Sequence, residues 1–290
     1  MEVDVGDHKC TPIEEIQGQC VKILKRYSAF HLAPDSGKVV VLDSALPIKH
    51  AFFAFVEHDV KSAPIWHPAA CDFLGILTVS DFTSILVEFH HEGSTPWVNG
   101  FGDKTCGEWL ALRRKNAMHS GSMDLKSEGE SNPHFQGANP DQSIFEGLML
   151  LCRKKINRLP VVQKDPEKMV LCILNHQRAL RFLLGKFKEK PNAGELLRSV
   201  QIRELGLGVL GDECARLEAS ASVLHALKIL NARKVPAVPI VDSEGRFLDA
   251  FTRSDVRLLA LENSYDRIAS VTVEQALANY HVRVLESSVF

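Results

Sequence analysis

Two segments of the chain carry one pattern, Thr78-Val79-Ser80-Asp81 and Thr252-Arg253-Ser254-Asp255. A hydroxyl followed by a carboxylate fits two kinds of chemistry. In one, Ser80 and Ser254 cap a helix, and the acid in its first turn complements the helix dipole. In the other, the carboxylate accepts two hydrogen bonds from a ribose diol, as an acidic residue does in dinucleotide-binding folds. Strand-end backbone groups then meet an adenine edge. Those groups are Ile76, Leu77 and Thr78 in the first segment, and Ala237 and Thr252 in the second.

A third segment, Ile173-Leu174-Asn175-His176-Gln177-Arg178, occupies the corresponding place but puts Arg178 where the others put Asp81 and Asp255. A cation in the first helical turn opposes the dipole, and a guanidinium cannot accept a bond from a diol. This copy is expected to lack a ribose site. Basic residues form a second constellation: Lys61; Arg153, Lys154, Lys155 and Arg158; Arg233 and Lys234. Cations at a helix end complement the dipole, and the same cations could cradle phosphate through charge-assisted bonds of about 1.5–3 kcal/mol each. The candidate nucleotide-binding set is therefore Lys61, Ile76, Leu77, Thr78, Ser80, Asp81, Arg158, Ala237, Thr252, Arg253, Ser254 and Asp255.

No phosphate-binding glycine loop, dinucleotide fingerprint, zinc-protease helix, nucleophile elbow or kinase signature occurs in the sequence. His90-His91 and the His8/Cys10 pair read as solvated side chains, so no metal and no catalytic residue is expected.

The elements that must position these residues recur three times. Aligned on Pro64, Pro160 and Pro239, apolar residues stand sixteen positions before (Ile48, Ile144, Val223) and twelve before (Phe52, Leu148, Leu227). They recur nine before (Phe55, Leu151, Leu230) and four before (Val60, Ile156, Val235). The first three offsets make one face of a helix. Small residues, Ala51, Gly147 and Ala226, mark a place of close approach. Each proline then opens a short apolar strand. A loop follows, then a second strand over Phe73–Leu77, Met169–Leu174 or Phe247–Phe251, and a second helix over Ser80–His91, His176–Lys186 or Ser254–Glu262. Each copy reads helix–strand–strand–helix, too small to bury both faces alone, so copies should pair. Ser120–Pro140, rich in Gly, Ser, Asn and Pro, reads as a loop or linker.

The balance of 34 basic and 36 acidic residues gives a formal charge of -2, which does not suggest a nucleic-acid or membrane partner. Seven cysteines without a CxxC pair read as reduced intracellular thiols. The residues before Cys10 lack an apolar signal core, and no apolar run is long enough to cross a bilayer.

These motifs resemble cystathionine β-synthase (CBS) repeats, and more closely the gamma regulatory subunits of AMP-activated protein kinase. Ala51–Phe55, Ser62–Trp66 and Gly75–Phe82 resemble that family's first repeat. Arg158–Val162 with Arg178 resembles its second, and Pro239–Asp242 with Ser254–Val256 its third. The likeness runs from about Lys22 to about Glu286, weakest over 93–137. It implies an α/β fold of tandem CBS repeats paired into a Bateman-type module plus a third repeat. The expected boundaries are an N-terminal segment over 1–33, repeats over 34–92, 138–190 and 205–265, an insertion over 93–137, and the start of a fourth repeat over 271–290.

The likeness also implies a non-catalytic subunit that binds AMP, ADP or ATP in clefts between repeats. It would act beside a catalytic alpha and a scaffold beta subunit, in the cytoplasm and nucleus, with AMP or ADP favouring kinase activity and ATP competing. In the family, the aspartates matching Asp81 and Asp255 hold ribose. The position matching Arg158 contacts phosphates, as does an arginine where this chain has Lys61. Asn157 and Gln177 replace a histidine and a lysine of the family, removing two potential phosphate contacts. A gamma-like scaffold with degenerate pockets is the alternative; a regulatory module of another enzyme or channel, and an enzyme in its own right, rank behind it.

Overall fold

A computed structural model describes residues 11–36, 38–88, 90, 103–119, 135, 137–164, 168–189, 201–205, 214–256 and 267–278. In the first repeat, β1 (Leu42–Asp43) precedes α2 (Ile48–Glu57), β2 (Ser62–His67), β3 (Asp72–Thr78) and α3 (Val79–Glu88). The second has α5 (Ile144–Lys154), β4 (Leu159–Gln163), β5 (Met169–Leu174) and α6 (His176–Lys188). The third has β6 (Leu217–Glu218), α7 (Val223–Arg233), β7 (Ala237–Val241), β8 (Phe247–Thr252) and a 3-10 turn over Arg253–Asp255. Two further helices are α1 (Pro12–Arg26) and α4 (Cys106–His119). Most of the second helix expected over Ser254–Glu262 lies outside the described residues, as does most of 120–140.

The three copies agree in detail. Each proline pairs across an antiparallel ladder, Pro64 with Ile76, Pro160 with Ile173 and Pro239 with Ala250. The register of each ladder slips just after it, at Ile65/Trp66, Val161/Val162 and Ile240/Val241. The residue after each proline also meets a short parallel partner: Leu42 with Ile65, Ala138 with Val161, and Leu217 with Ile240. The unit is therefore strand–helix–strand–strand–helix. The sequence reading lacked the leading strand, whose one or two residues are too few to show an alternation.

The matched apolar offsets have a common cause. Ile48, Phe52 and Phe55 are wholly buried on α2, as are Val223, Leu227 and Leu230 on α7. The residue four before the proline closes the helix. Val60 N–H donates to the Phe55 carbonyl at 3.0 Å, and Ile156 N–H to that of Leu151 at 3.0 Å. That six-to-one bond, with its apolar contact, ends a helix through a left-handed residue. Asp59 and Lys155 are those residues, with φ of 46° and 52°, and Lys234 is left-handed at the same place in the third copy, with φ of 55°. The predicted close approach is real at Gly147, where a Cβ would lie 2.5 Å from Leu174 Cδ2.

Cα proximity divides the chain into Met1–Val39 with Gln136–Val209, and Val40–Phe135 with Leu210–Phe290. The first unit packs α1 and the second repeat around Ile23, Leu32, Ile144, Leu151, Leu174 and Phe187. The second builds one core from the first and third repeats, with α4 and residues 268–277. Here the first repeat shares its core with the third, its neighbour in space and not in sequence.

A buried polar network fastens these two repeats, with α3 packed on α7. Thr83 is fully buried on α3 and donates to the Ser80 carbonyl at 2.8 Å. Arg253 NH1 donates to Thr83 Oγ1 at 3.0 Å and to Asn231 Oδ1 at 2.7 Å. Its Nε donates to the Val235 carbonyl at 3.0 Å and its NH2 to that of Leu230. Asn231 Nδ2 completes the ring on the Thr83 carbonyl at 3.3 Å.

Two measurements check this account. Lys155→Gly and Lys234→Gly each relieve a left-handed side chain, and each is expected to stabilise by about 0.5–1 kcal/mol, a rise of about 2 °C in thermal unfolding. Thr83→Val and Arg253→Met are each expected to cost about 1–3 kcal/mol in denaturant unfolding, because each leaves buried polar atoms without partners. The double variant should cost less than the sum, and strict additivity would show that the network is not a unit.

Candidate functional site

In the first and third repeats the second strand runs directly into a helical turn. The last strand residue is then the cap, and its N–H needs a partner from the first turn. In the first repeat α3 begins at Val79, so Thr78 is the cap and not Ser80. Thr78 N–H and Oγ1–H both donate to Asp81 Oδ2, at 2.8 and 2.7 Å. In the third repeat Thr252 caps the turn over Arg253–Asp255, and its N–H donates to Asp255 Oδ2 at 2.6 Å. Ser254 again sits inside the turn. In the third repeat the Thr-x-Ser-Asp pattern is thus a capping box with Asp255 as its acid, and in the first Asp81 plays the acid's half of that box. The serines are corrected from caps to first-turn residues.

The second repeat reverses the bond. Asn175 Oδ1 accepts from Arg178 N–H at 2.8 Å, so the cap holds the backbone of residue 178 and leaves its side chain for other work. Arg178 NH1 donates to the Leu32 carbonyl at 2.7 Å, fastening the 3-10 turn Ala29–Leu32 onto this corner. Burial pushes the nearby Cys172 thiol up, and the Arg178 cation pulls it back.

The Asp81 carboxylate is 5% exposed and its second oxygen is also engaged. Trp109 Nε1–H donates to Oδ1 at 3.3 Å and Arg113 NH1 at 2.6 Å. Both donors come from α4, whose start is tied to the first repeat. Cys106 N–H donates to the Leu46 carbonyl and Gly107 N–H to that of Ser44, each at 2.9 Å. Trp109 and Leu110 are buried, and Arg114 reaches the Leu74 carbonyl, with burial lowering its pKa. The sequence reading placed α4 inside the 93–137 insertion and missed Trp109 and Arg113 as partners of Asp81. One signal was present: Thr105 and Glu108 form a capping box, with Thr105 N–H on Glu108 Oε2 at 2.8 Å and Glu108 N–H on Thr105 Oγ1 at 3.2 Å.

The remaining candidates fall into three groups. Ile76 and Thr78 lie on the face of β3 opposite its core side, whereas the Leu77 side chain is wholly buried, so only its backbone can meet a ligand. Ala237 pairs with Thr252 at the same strand end of the third repeat. Lys61 is exposed and its carbonyl accepts the Val79 N–H at 3.2 Å. Arg158 is half-buried and belongs to the unit of the second repeat. Arg253 is corrected: its guanidinium serves the network between repeats, because Val235, Leu230, Asn231 and Thr83 take its donors. Among the described residues no group of three or more His, Cys, Asp or Glu could hold a metal, and no helix is long and apolar enough to cross a membrane.

Known proteins agree with this architecture. Residues 211–262 match the family described as CBS domain. The chain is 34% identical over 249 residues to the gamma subunit of 5'-AMP-activated protein kinase from Dictyostelium discoideum, covering 86% of this chain and 40% of the relative. It is 30% identical over 262 residues to the human gamma-3 subunit, covering 89% of this chain and 48% of the relative. The chain thus spans less than half the length of these curated relatives. A crystal structure of a protein from Methanocaldococcus jannaschii, described as an archaeal homologue of the kinase's gamma subunit, superposes with a TM-score of 0.56 at 15% identity, covering 86% of this chain and 81% of that one. The shared fold, the repeated corner and the sequence likeness converge: the chain has the fold of CBS repeats, carries a CBS domain over 211–262, and is similar along most of its length to the gamma subunits of AMP-activated protein kinase.

Proposed function

We propose that the chain is a non-catalytic, adenine-nucleotide-sensing subunit of gamma type that regulates a protein kinase. The observation that carries this reading is the corner built twice with the same carboxylate, Thr78 N–H on Asp81 and Thr252 N–H on Asp255, in a chain that resembles gamma subunits over 86% of its length. A carboxylate already fixed by the backbone is a preorganised acceptor, so a ribose diol that docks on it spends little on ordering it. Strand-end groups at Ile76–Thr78, and at Ala237 and Thr252, would read the adenine edge. Lys61, and in its own unit Arg158, would each offer a charge-assisted bond to a phosphate of AMP, ADP or ATP. The proposed partners are a catalytic alpha subunit and a scaffold beta subunit, met in the cytoplasm and nucleus, with no metal, membrane or nucleic acid involved.

A second reading has its own support. Asn157 and Gln177 stand where the family's pattern has a histidine and a lysine, and Asp81 is already bonded to Arg113. A scaffold that assembles with the kinase and ignores nucleotide would show these features. Co-expression with alpha and beta subunits, followed by AMP titration of the purified complex, separates the two. Assembly with AMP-dependent kinase activity is expected. Assembly with no response to AMP, ADP or ATP would establish the scaffold, and no assembly would remove the gamma-type role.

A further inference from the structure

The two carboxylate corners are alike in how Asp81 and Asp255 hold their caps. Beside the first, α4 places an indole N–H and a guanidinium on Asp81 Oδ1, the oxygen that the cap does not use. Together with Thr78, the carboxylate accepts four donors from this chain. Its side chain is 6% exposed, against 44% for that of Arg113, so the acid is enclosed and the cation lies at the edge.

The third corner has a counterpart of α4. Residues 273–278 are helical, and their start repeats the α4 contacts one by one. Thr272 bridges Ser222 as Thr105 bridges Pro47. Val273 N–H donates to the Ala221 carbonyl at 2.9 Å and Glu274 N–H to that of Ala219 at 3.3 Å, matching Cys106 on Leu46 and Gly107 on Ser44. Thr272 is capped by Gln275 as Thr105 is by Glu108. In this register Ala276, which has no side-chain donor, stands where α4 carries Trp109.

We propose that α4 is a built-in competitor for nucleotide at the first corner: Arg113, seated beside Trp109, holds the Asp81 oxygen that a ribose diol would need, so a ligand enters only by displacing it. The inference rests on the adenine-nucleotide reading and adds which residues of this chain contend with the ligand for Asp81. Binding at Asp81 is then an exchange. The incoming diol brings two neutral donors to the carboxylate and must displace a cationic one, whose bond is charged on both sides, which favours the closed state. Arg113 sits at the rim, so it can swing out while Trp109 and Leu110 keep α4 docked. Charge screening weakens an ion pair that is half open to water, so the hold should loosen with salt.

The test is calorimetry with AMP on the full chain, wild type and Arg113→Met, with the Trp109 indole N–H followed by nitrogen-15 NMR. In wild type, AMP at concentrations that saturate the calorimetric signal is expected to leave the Trp109 resonance in place. In Arg113→Met the resonance should move, and AMP affinity at this corner should rise roughly tenfold or more; adding Asp81→Asn should cancel the gain. The wild-type NMR arm needs no substitution and so does not depend on the folding of a variant. Wild-type AMP binding that shifts Trp109 and is abolished by Asp81→Asn alone overturns the competitor and leaves the nucleotide reading standing. No AMP binding to wild type or to Arg113→Met overturns the nucleotide reading, and the competitor with it.

Discussion

A single hydrogen-bonding demand shapes each functional corner: a strand that runs straight into a helix leaves the N–H of its last residue without a ladder or helix partner. In the first and third repeats a first-turn aspartate meets that demand with Oδ2. The carboxylate is thereby fixed in orientation, and Oδ1 faces a set direction. At Asp81 the two oxygens are divided, Oδ2 to the cap and Oδ1 to Trp109 and Arg113, so capping leaves one oxygen for a second partner. Where Asn175 does the capping from the strand side, the residue at the aspartate's place is released from it and can be Arg178.

The same economy explains why no repeat is a self-contained unit. The first helix of each copy begins on an N–H that has no partner within its own helix. Ile48 finds the Lys104 carbonyl, Ile144 that of Tyr27, and Val223 that of Val271, at 2.9, 2.9 and 3.0 Å. Each partner lies outside the helix–strand–strand–helix pattern. The repeats thus need their flanking segments for backbone satisfaction as well as for burial. The segments chosen, with α4 among them, are those that end up beside the corners.

Local features were the legible ones. Offsets of four and three residues announce α2, α5 and α7 because a buried helix face must repeat at that spacing. The apolar residue four before each proline was visible as a match, and its role as the closing contact of the helix end came only with the left-handed φ of Asp59, Lys155 and Lys234. What stayed hidden was non-local. Arg253 sits in sequence beside a presumed ribose acid, and its destination, Thr83, is 170 positions away. In α4 the buried stripe Cys106, Trp109 and Leu110 lasts little more than one turn before the polar run Arg113–Asn116, too short to stand out by periodicity, while its capping box was visible. The partnership of first and third repeats was equally invisible, since all three copies present the same apolar face.

Identical scaffolds with different charges have unequal energetics. A buried carboxylate without compensation is costly, and in the first corner the compensation is internal, through Arg113 and Trp109. In the second corner the sign is inverted and a backbone carbonyl, that of Leu32, receives the cation. A ligand's affinity at such a corner is the difference between what it offers and what the chain already supplies. At Asp81 that difference is set from a helix that does not belong to the repeat. Under the proposed competition, the docking of α4, held by the Leu46 and Ser44 carbonyls, sets what Asp81 Oδ1 can offer a ligand, so a shift of α4 against β3 would act on that corner without touching the ligand.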